Sequence, residues 1–464
     1  MLTINCDISQ QREVCSYLNG TVMFMEGIMR LKSFGAILPI ALLSYFLILM
    51  DNSIVFTSSR EIGADLGMTR VGIAWLANAY TLTFGGFLLL AGQLSDLLGR
   101  KQIFQIGMAI FGISSFVVGI AMDASTMIIA RAAQGIGSAI LAPTTLAMMM
   151  DAYSGEKRIQ AISYYGATAG IGSIIGLLVG GALTSYVSWR AGFLIKLPII
   201  IYLMWLTHHA VAAGIKQKAT IDYIGSILSV LGLSSFIYGL TSDFYGGAFV
   251  SGGIILLVLF YFYERRFKTP VMPLKLYKNK VRLGAYFVRL LFMMALLPYW
   301  FLLPQMLGEK LGYTAFQSGM AFIPVAVFQF VMAMYIPQLT KRFSNGYVLL
   351  MGEILLFVGF VMTAMLKINY GYWIAVALPM VIIGIGSAMI VAPVTSAGLY
   401  KAPNEIAGAA SSLTNAMHQL GGPIGLSLII MMTSTFSSGV YMMAGFTLIA
   451  TILVAVLIIP NEKD

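Results

Sequence analysis

Apolar residues run through this chain in unbroken blocks, most of them about 17–25 residues long, parted by short polar stretches. At about 1.5 Å per residue, a helix of that length crosses the roughly 30 Å hydrocarbon layer of a bilayer. The blocks place about fourteen spans near 34–57, 71–94, 102–121, 125–150, 159–185, 191–212, 221–242, 246–263, 281–304, 315–337, 346–366, 371–396, 405–433 and 438–459. None shows the two-residue alternation of a membrane β-strand. The expected fold class is an all-α polytopic membrane protein.

The polar stretches sort by charge. One set holds Arg100, Lys101, Lys157, Arg158, Lys216, Lys218, Lys341, Arg342 and Lys401, with a basic stretch from Arg265 to Arg282. The opposite set holds only Arg60, Arg70, Arg190, Lys310 and Lys367. Basic loops stay on the cytoplasmic side. With an even number of spans, both termini are expected in the cytoplasm of a multi-pass cell-membrane protein.

Composition agrees with this reading. The 464 residues are 59% hydrophobic and 10% charged, with a mean hydropathy of +0.88; a soluble chain carries roughly 25% charge. Topology accounts for the net charge of +10, and no nucleic-acid partner is expected. Residues 1–30 read as a polar tail without a cleavable signal, and Cys6 and Cys15 within it as idle thiols.

An internal repeat is visible. Gln93-Leu94-Ser95 returns as Gln338-Leu339-Thr340, and Gly107 as Gly352. Gly172-Ser-Ile-Ile-Gly176-Leu177 is echoed by Gly421-Gly-Pro-Ile-Gly425-Leu426. Two related six-span halves would give this pattern. The expected division is 1–30 for the tail, 31–215 for the first bundle, 216–280 for two extra spans and a basic linker, and 281–464 for the second bundle.

A carboxylate inside a span is costly, about 2.5–3.5 kcal/mol on insertion scales, which makes Asp51 in the first span a functional candidate. The alternative is an aspartate capping a loop at the interface. Arg131 in span four falls near the same depth and either pairs with Asp51 or holds helix ends. Lys196 either pairs with a carboxylate or snorkels outward, and snorkelling is the favoured reading. Glu353 is a second proton-site candidate, or it reaches the interface near Lys341 and Arg342. Arg289 lines a cavity or snorkels. Asp222 reads as a helix cap, His418 as polar packing, and His208 and His209 as interfacial. Gly172, Gly176, Gly180 and Gly181 share a smooth packing face on span five. No phosphate-binding Gly-x-x-x-x-Gly-Lys loop, His-Glu-x-x-His or metal-ligand cluster is present, so neither ATP hydrolysis nor an enzyme is indicated.

Residues 85–101 end in Gly92, Asp96, Gly99, Arg100 and Lys101. This stretch resembles the loop 2–3 signature of the major facilitator superfamily, with Leu97 where a basic residue is common. The span-five glycines resemble an antiporter signature in which Leu177 replaces a proline. Trp189-Arg190-x-x-Phe193-x-x-Lys196-x-Pro198 resembles a segment of fourteen-span drug exporters that usually carries asparagine at the lysine position. Pro270-x-x-Pro273, Leu303-Pro304-Gln305 and the 312–324 segment are similar to the fourteen-span drug:proton antiporter family.

That resemblance implies a major facilitator fold of two six-helix bundles plus two extra central spans. It implies proton-coupled export of hydrophobic or cationic small molecules, multidrug efflux, by alternating access in a bacterial cell membrane. Protons, a small-molecule substrate and the lipid bilayer are the implied partners. The proton gradient supplies the energy in place of a cofactor, and a monomer is expected. Asp51, Arg131 and Glu353 would couple protons. Trp75, Tyr80, Gln134, Tyr164, Arg289, Tyr299, Trp300 and Phe328 would line the cavity, where aromatic surface favours organic cations. Alternatives are export of a specific metabolite or lipid and, more remotely, a membrane sensor on a transporter scaffold.

Overall fold

The computed structural model describes residues 34–212, 222–241, 245–267 and 274–462. The 1–30 tail with its two cysteines, Lys216, Lys218, Lys268 and the 270–273 motif lie outside the described residues, as do the side chains at Gly92 and Asp96.

The first half contains α1 (Ile37–Asp65), α2 (Arg70–Leu98), α3 (Arg100–Ile120), α4 (Ala124–Ala152), α5 (Gly155–Tyr186), α6 (Trp189–Leu194) and α7 (Lys196–Ala210). A hairpin of α8 (Tyr223–Thr241) and α9 (Gly246–Glu264) follows. The second half contains α10 (Lys280–Leu311), α11 (Ala315–Met320), α12 (Ile323–Phe343), α13 (Asn345–Met365), α14 (Leu378–Gly398), α15 (Asn404–Met432) and α16 (Phe436–Leu453). Among the described residues there is no strand. Among the described residues twelve helical stretches are long and apolar enough to cross a membrane, α8 and α9 among them. α5 and α15, of 32 and 29 residues, pack between these.

Several helices outrun their apolar blocks. α1 continues to Asp65, well past the expected end near 57. Its 29 residues span roughly 43 Å at about 1.5 Å each, so its polar end lies in the headgroup zone. Two expected spans are broken near their starts. Pro198 offers no N–H to the Leu194 carbonyl, and α6 gives way to α7 at Ile195. Pro324 does the same for Met320, between α11 and α12. Caps fix other starts: Asp123 accepts from the Thr126 N–H at 2.9 Å, and Asp222 from the Gly225 N–H at 2.8 Å.

The packing repeats. In the first half α1 lies on α5, α4 on α2 and α3, and α3 on α6 and α7. In the second, α10 lies on α15, α14 on α12 and α13, and α13 on α16. The glycine echo has the same cause in both halves. A Cβ on Gly176 would fall 2.7 Å from the Met50 Cα, and one on Gly425 would fall 2.5 Å from the Met294 Cα. Glycine is what lets each helix pair close. Met50 and Met294 are therefore equivalent, and the position equivalent to Asp51 is the buried Ala295.

The halves meet along α2 and α15, α5 and α11, and α1 and α10. α8 covers the α2–α15 seam and touches both helices. Among the described residues, the hydrogen bonds between halves gather at the end opposite residues 37 and 462. Asn78 donates to Ser427 at 2.9 Å, Arg70 to the Thr433 carbonyl at 3.0 Å, and the Phe316 N–H to Ser185 at 3.0 Å. At the other end bonds form within each half, as when Arg282 donates to the carbonyls of Tyr400 and Lys401.

Candidate functional site

Asp51 stands at the middle of α1 with no exposed surface. The extension of α1 to Asp65 takes it away from any interface, so the loop-capping alternative does not hold. Gly172, Gly176 and Gly180 press α5 against Leu49, Met50, Ser53 and Ile54, which closes that side of the carboxylate to solvent. Gly181 instead meets Ala315 of α11 across the halves.

Two cations reach Asp51 from other helices. Arg131 of α4 donates from Nη1 to Oδ2, and Lys196 of α7 donates from Nζ to Oδ1. All three side chains have 0% exposure. Gln134, on the same face of α4 as Arg131, donates to Asp51 at 2.7 Å and to Ser115 of α3 at 2.8 Å. It accepts from Arg131 at 2.7 Å. Arg131 Nε donates to the Leu76 carbonyl at 2.9 Å, and the guanidinium sits 4.4 Å from the Tyr80 ring centre. Tyr80 donates to Ser138 at 2.7 Å. The Lys196 ammonium also lies 4.7 Å from the Phe193 ring centre.

Lys196 therefore does not snorkel. The break at Ile195 starts α7 with this side chain turned towards α1, where a carboxylate offers the counter-charge that lipid lacks. Burying ions without partners costs several kcal/mol each, so this cluster depends on an ionised Asp51 between its two cations. With all three ionised it carries one surplus positive charge. A proton on Asp51 would leave two buried cations facing each other, a strong drive towards rearrangement.

The remaining candidates scatter. Tyr80 and Gln134 belong to the sealed cluster and line no accessible wall. Tyr299 is buried edge-on to Phe360, with ring centres 5.4 Å apart. Trp300 packs between Phe56 and Phe322, and Trp75 lies 6.1 Å from Tyr238 of α8. Tyr164 and Phe328 are exposed. Arg289 is buried and does not snorkel. Glu353 has no exposure, and neither oxygen has a hydrogen-bond partner, so it does not reach the interface with Lys341 and Arg342. Helical spacing finds aromatic positions but does not say which face of a helix looks into the seam.

At the α2–α3 turn Gly99 adopts φ +88°, a conformation that favours glycine. Arg100 bonds Asp151 of α4 at 3.2 Å and Ser95 at 3.0 Å, and Lys101 donates to the His208 carbonyl at 2.6 Å. Sequence reasoning missed Asp151, Ser115 and Ser138. An acid ending a span beside a basic loop is a usable signal for Asp151. Serines in apolar helices give none.

A small cavity lies at the closed end between α1 and α10, lined by Arg60, Glu61, Gln305 and Tyr313 among others. Among the described residues no three His, Cys, Asp or Glu side chains converge as a metal site would need.

Comparison with known proteins bears on this architecture. The chain is 34% identical over 395 residues to the MFS-type transporter EfpA of Mycobacterium tuberculosis, covering 82% of this chain and 73% of that one. It is 30% identical to the cephamycin export protein CmcT of Amycolatopsis lactamdurans (87% and 85% covered). It is 29% identical to the puromycin resistance protein pur8 of Streptomyces alboniger (87% and 81%). Its fold is similar to that of the nucleoside transporter NupG, with a TM-score of 0.67 at 13% identity over 91% of this chain and 99% of that one. The model of the Major Facilitator Superfamily matches residues 41–426, which take in the Asp51 cluster, the Gly99 turn and most of both halves. This chain belongs to the Major Facilitator Superfamily.

Proposed function

We propose that this chain is a proton-coupled exporter of hydrophobic small molecules that works by alternating access. The observation that carries the reading is the dry Asp51–Arg131–Lys196 cluster. A carboxylate balanced by two cations changes the fit of five helices when it takes or loses a proton, and that is what coupling requires. Glu353 is the next carboxylate that could carry a proton. The closed far end and the separate bonding at the other end fit one access state of a rocking pair. The names of two relatives, for cephamycin export and puromycin resistance, support a toxic or secreted compound as cargo. In this reading α8 and α9 are two extra spans, giving fourteen. Both termini lie in the cytoplasm of a bacterial cell, and a monomer suffices.

The test is reconstitution into liposomes with a trapped pH dye and a panel of hydrophobic antibiotics. Compound-evoked proton movement, absent from empty liposomes, is expected for at least one of them. Compound uptake that ignores an imposed pH gradient would overturn the reading.

A further inference from the structure

Arg289 lies in the first third of α10, which packs on α1, α14, α15 and α16. Its side chain is 6% exposed. An arginine keeps its charge in proteins and offers five donors. Among the described residues this one makes a single long bond, from Nη1 to the Val391 carbonyl of α14 at 3.4 Å, and its Nε has no partner. No carboxylate among the described residues pairs with it. A buried guanidinium without a counter-charge is expensive and is rarely kept for packing.

Its surroundings belong to the seam between the halves. His418 of α15 has a buried, unpartnered Nδ1, and both it and Tyr45 of α1 lie near Arg289. The internal repeat accounts for that meeting. Arg289 precedes Met294 by the same interval as Tyr45 precedes Met50, so the two sit at equivalent positions facing one another across the pseudo-axis. Tyr45 stacks on Tyr165 of α5 with ring centres 4.1 Å apart, which gives the seam a flat aromatic wall beside the cation.

The other buried mid-span charges do not offset it. Asp51 is already shared by Arg131 and Lys196. Glu353 is on α13, which packs within its own half on α12, α14 and α16. Among the described residues Arg131 and Lys196 thus share the one paired mid-span carboxylate, Asp51, and Arg289 at the seam has no carboxylate partner. This is opposite in sign to the cationic cargo that aromatic surface alone suggests.

We propose that Arg289, with His418 beside it, recognises an acidic group, so that the cargo is an amphipathic small molecule bearing a carboxylate or a phosphate. The guanidinium fork matches either group with two parallel bonds, and the apolar part lies along Tyr45 and Tyr165. This rests on the exporter reading, whose cargo class it names.

The test is equilibrium binding to the full chain in detergent, without any gradient, so that coupling plays no part. The probes are a hexanoic acid bearing a naphthyl group on its terminal carbon, its methyl ester, the matching amine and the matching phosphate monoester. The wild type is expected to bind one or both acids at least about tenfold more tightly than the ester or the amine. Arg289→Gln is expected to lose that preference and Arg289→Lys to keep part of it, with thermal unfolding as the folding check. A tighter carboxylate or a tighter phosphate identifies which acid is the cargo. Equal or better binding of the amine by the wild type would overturn the proposal without any variant, and so would an acid preference that survives in folded Arg289→Gln. Acid-selective binding without proton-driven transport would sink the exporter reading and leave this one standing.

Discussion

Lys196 meets the Asp51 carboxylate where both side chains are cut off from solvent and lipid. The contact joins α7 to α1, and Arg131 brings in α4 on the other carboxylate oxygen. Because Lys196 is the surplus cation, the two partners should respond differently to removal. Lys196→Met leaves Asp51 with Arg131 and Gln134 and is expected to keep the detergent-solubilised protein folded. Asp51→Asn strands two buried cations, a loss of about 3–5 kcal/mol. Adding Lys196→Met to Asp51→Asn should recover much of it. Thermal unfolding of the three variants checks this, and a double variant less stable than Asp51→Asn would contradict the surplus-charge account.

The α1–α5 contact should tolerate bulk unevenly. A Cβ at Gly176 would press on the Met50 backbone, whereas one at Gly172 meets only the Leu49 and Phe46 side chains, at 3.3–3.4 Å. Gly176→Leu is expected to cost at least about 1–3 kcal/mol through overpacking. Gly172→Ala should be near neutral, because helix propensity offsets a small side-chain shift. Melting temperatures that rank the other way would show that the glycine face is not set against α1 as described.

The Arg100–Asp151 bond links the turn after α2 to the end of α4. Its partners are 23% and 62% exposed, so the pair contributes about 0–1 kcal/mol to stability. Asp151→Asn should leave the melting temperature nearly unchanged while slowing transport, if the pair holds one access state. Unchanged transport at equal protein level would make it an ordinary surface pair.

Closure at the far end should depend on Asn78 and Ser427. One buried hydrogen bond is worth about 0.5–1.5 kcal/mol, so Ser427→Ala should shift the open population roughly 2- to 10-fold. A cysteine placed at Gln305, which lines the small cavity there, should then be labelled faster by a polar maleimide. Equal labelling rates would show that this bond does not hold the end shut.

Much of the fold was legible because bilayer thickness sets helix length and glycine spacing marks close helix pairs. The repeat could be read from Gly176 and Gly425, since the same backbone approach needs the same residue. Asp51 and Arg131 stood out because charge in an apolar block is costly. Lys196 was misread: one dimension shows its depth but not the turn that Pro198 imposes. The burial of Tyr80 and Tyr299 was not legible for a related reason. Tyr80 and Tyr299 have the right depth, but burial depends on which neighbour each helix face meets, and that is a property of the assembled bundle.

The central claim is that Asp51 carries the coupling proton, and one measurement addresses it most directly. Inside-out vesicles containing wild type or Asp51→Asn, with Lys196→Met in the background to spare the fold, would be loaded with a transported compound. Uphill accumulation under an imposed pH gradient would then be compared with gradient-free exchange of the same compound. The account predicts that the wild type accumulates the compound, that Lys196→Met alone keeps a weakened but measurable accumulation, and that adding Asp51→Asn abolishes it while exchange persists. Undiminished, pH-dependent accumulation in the Asp51→Asn protein would contradict it and move the coupling site to Glu353.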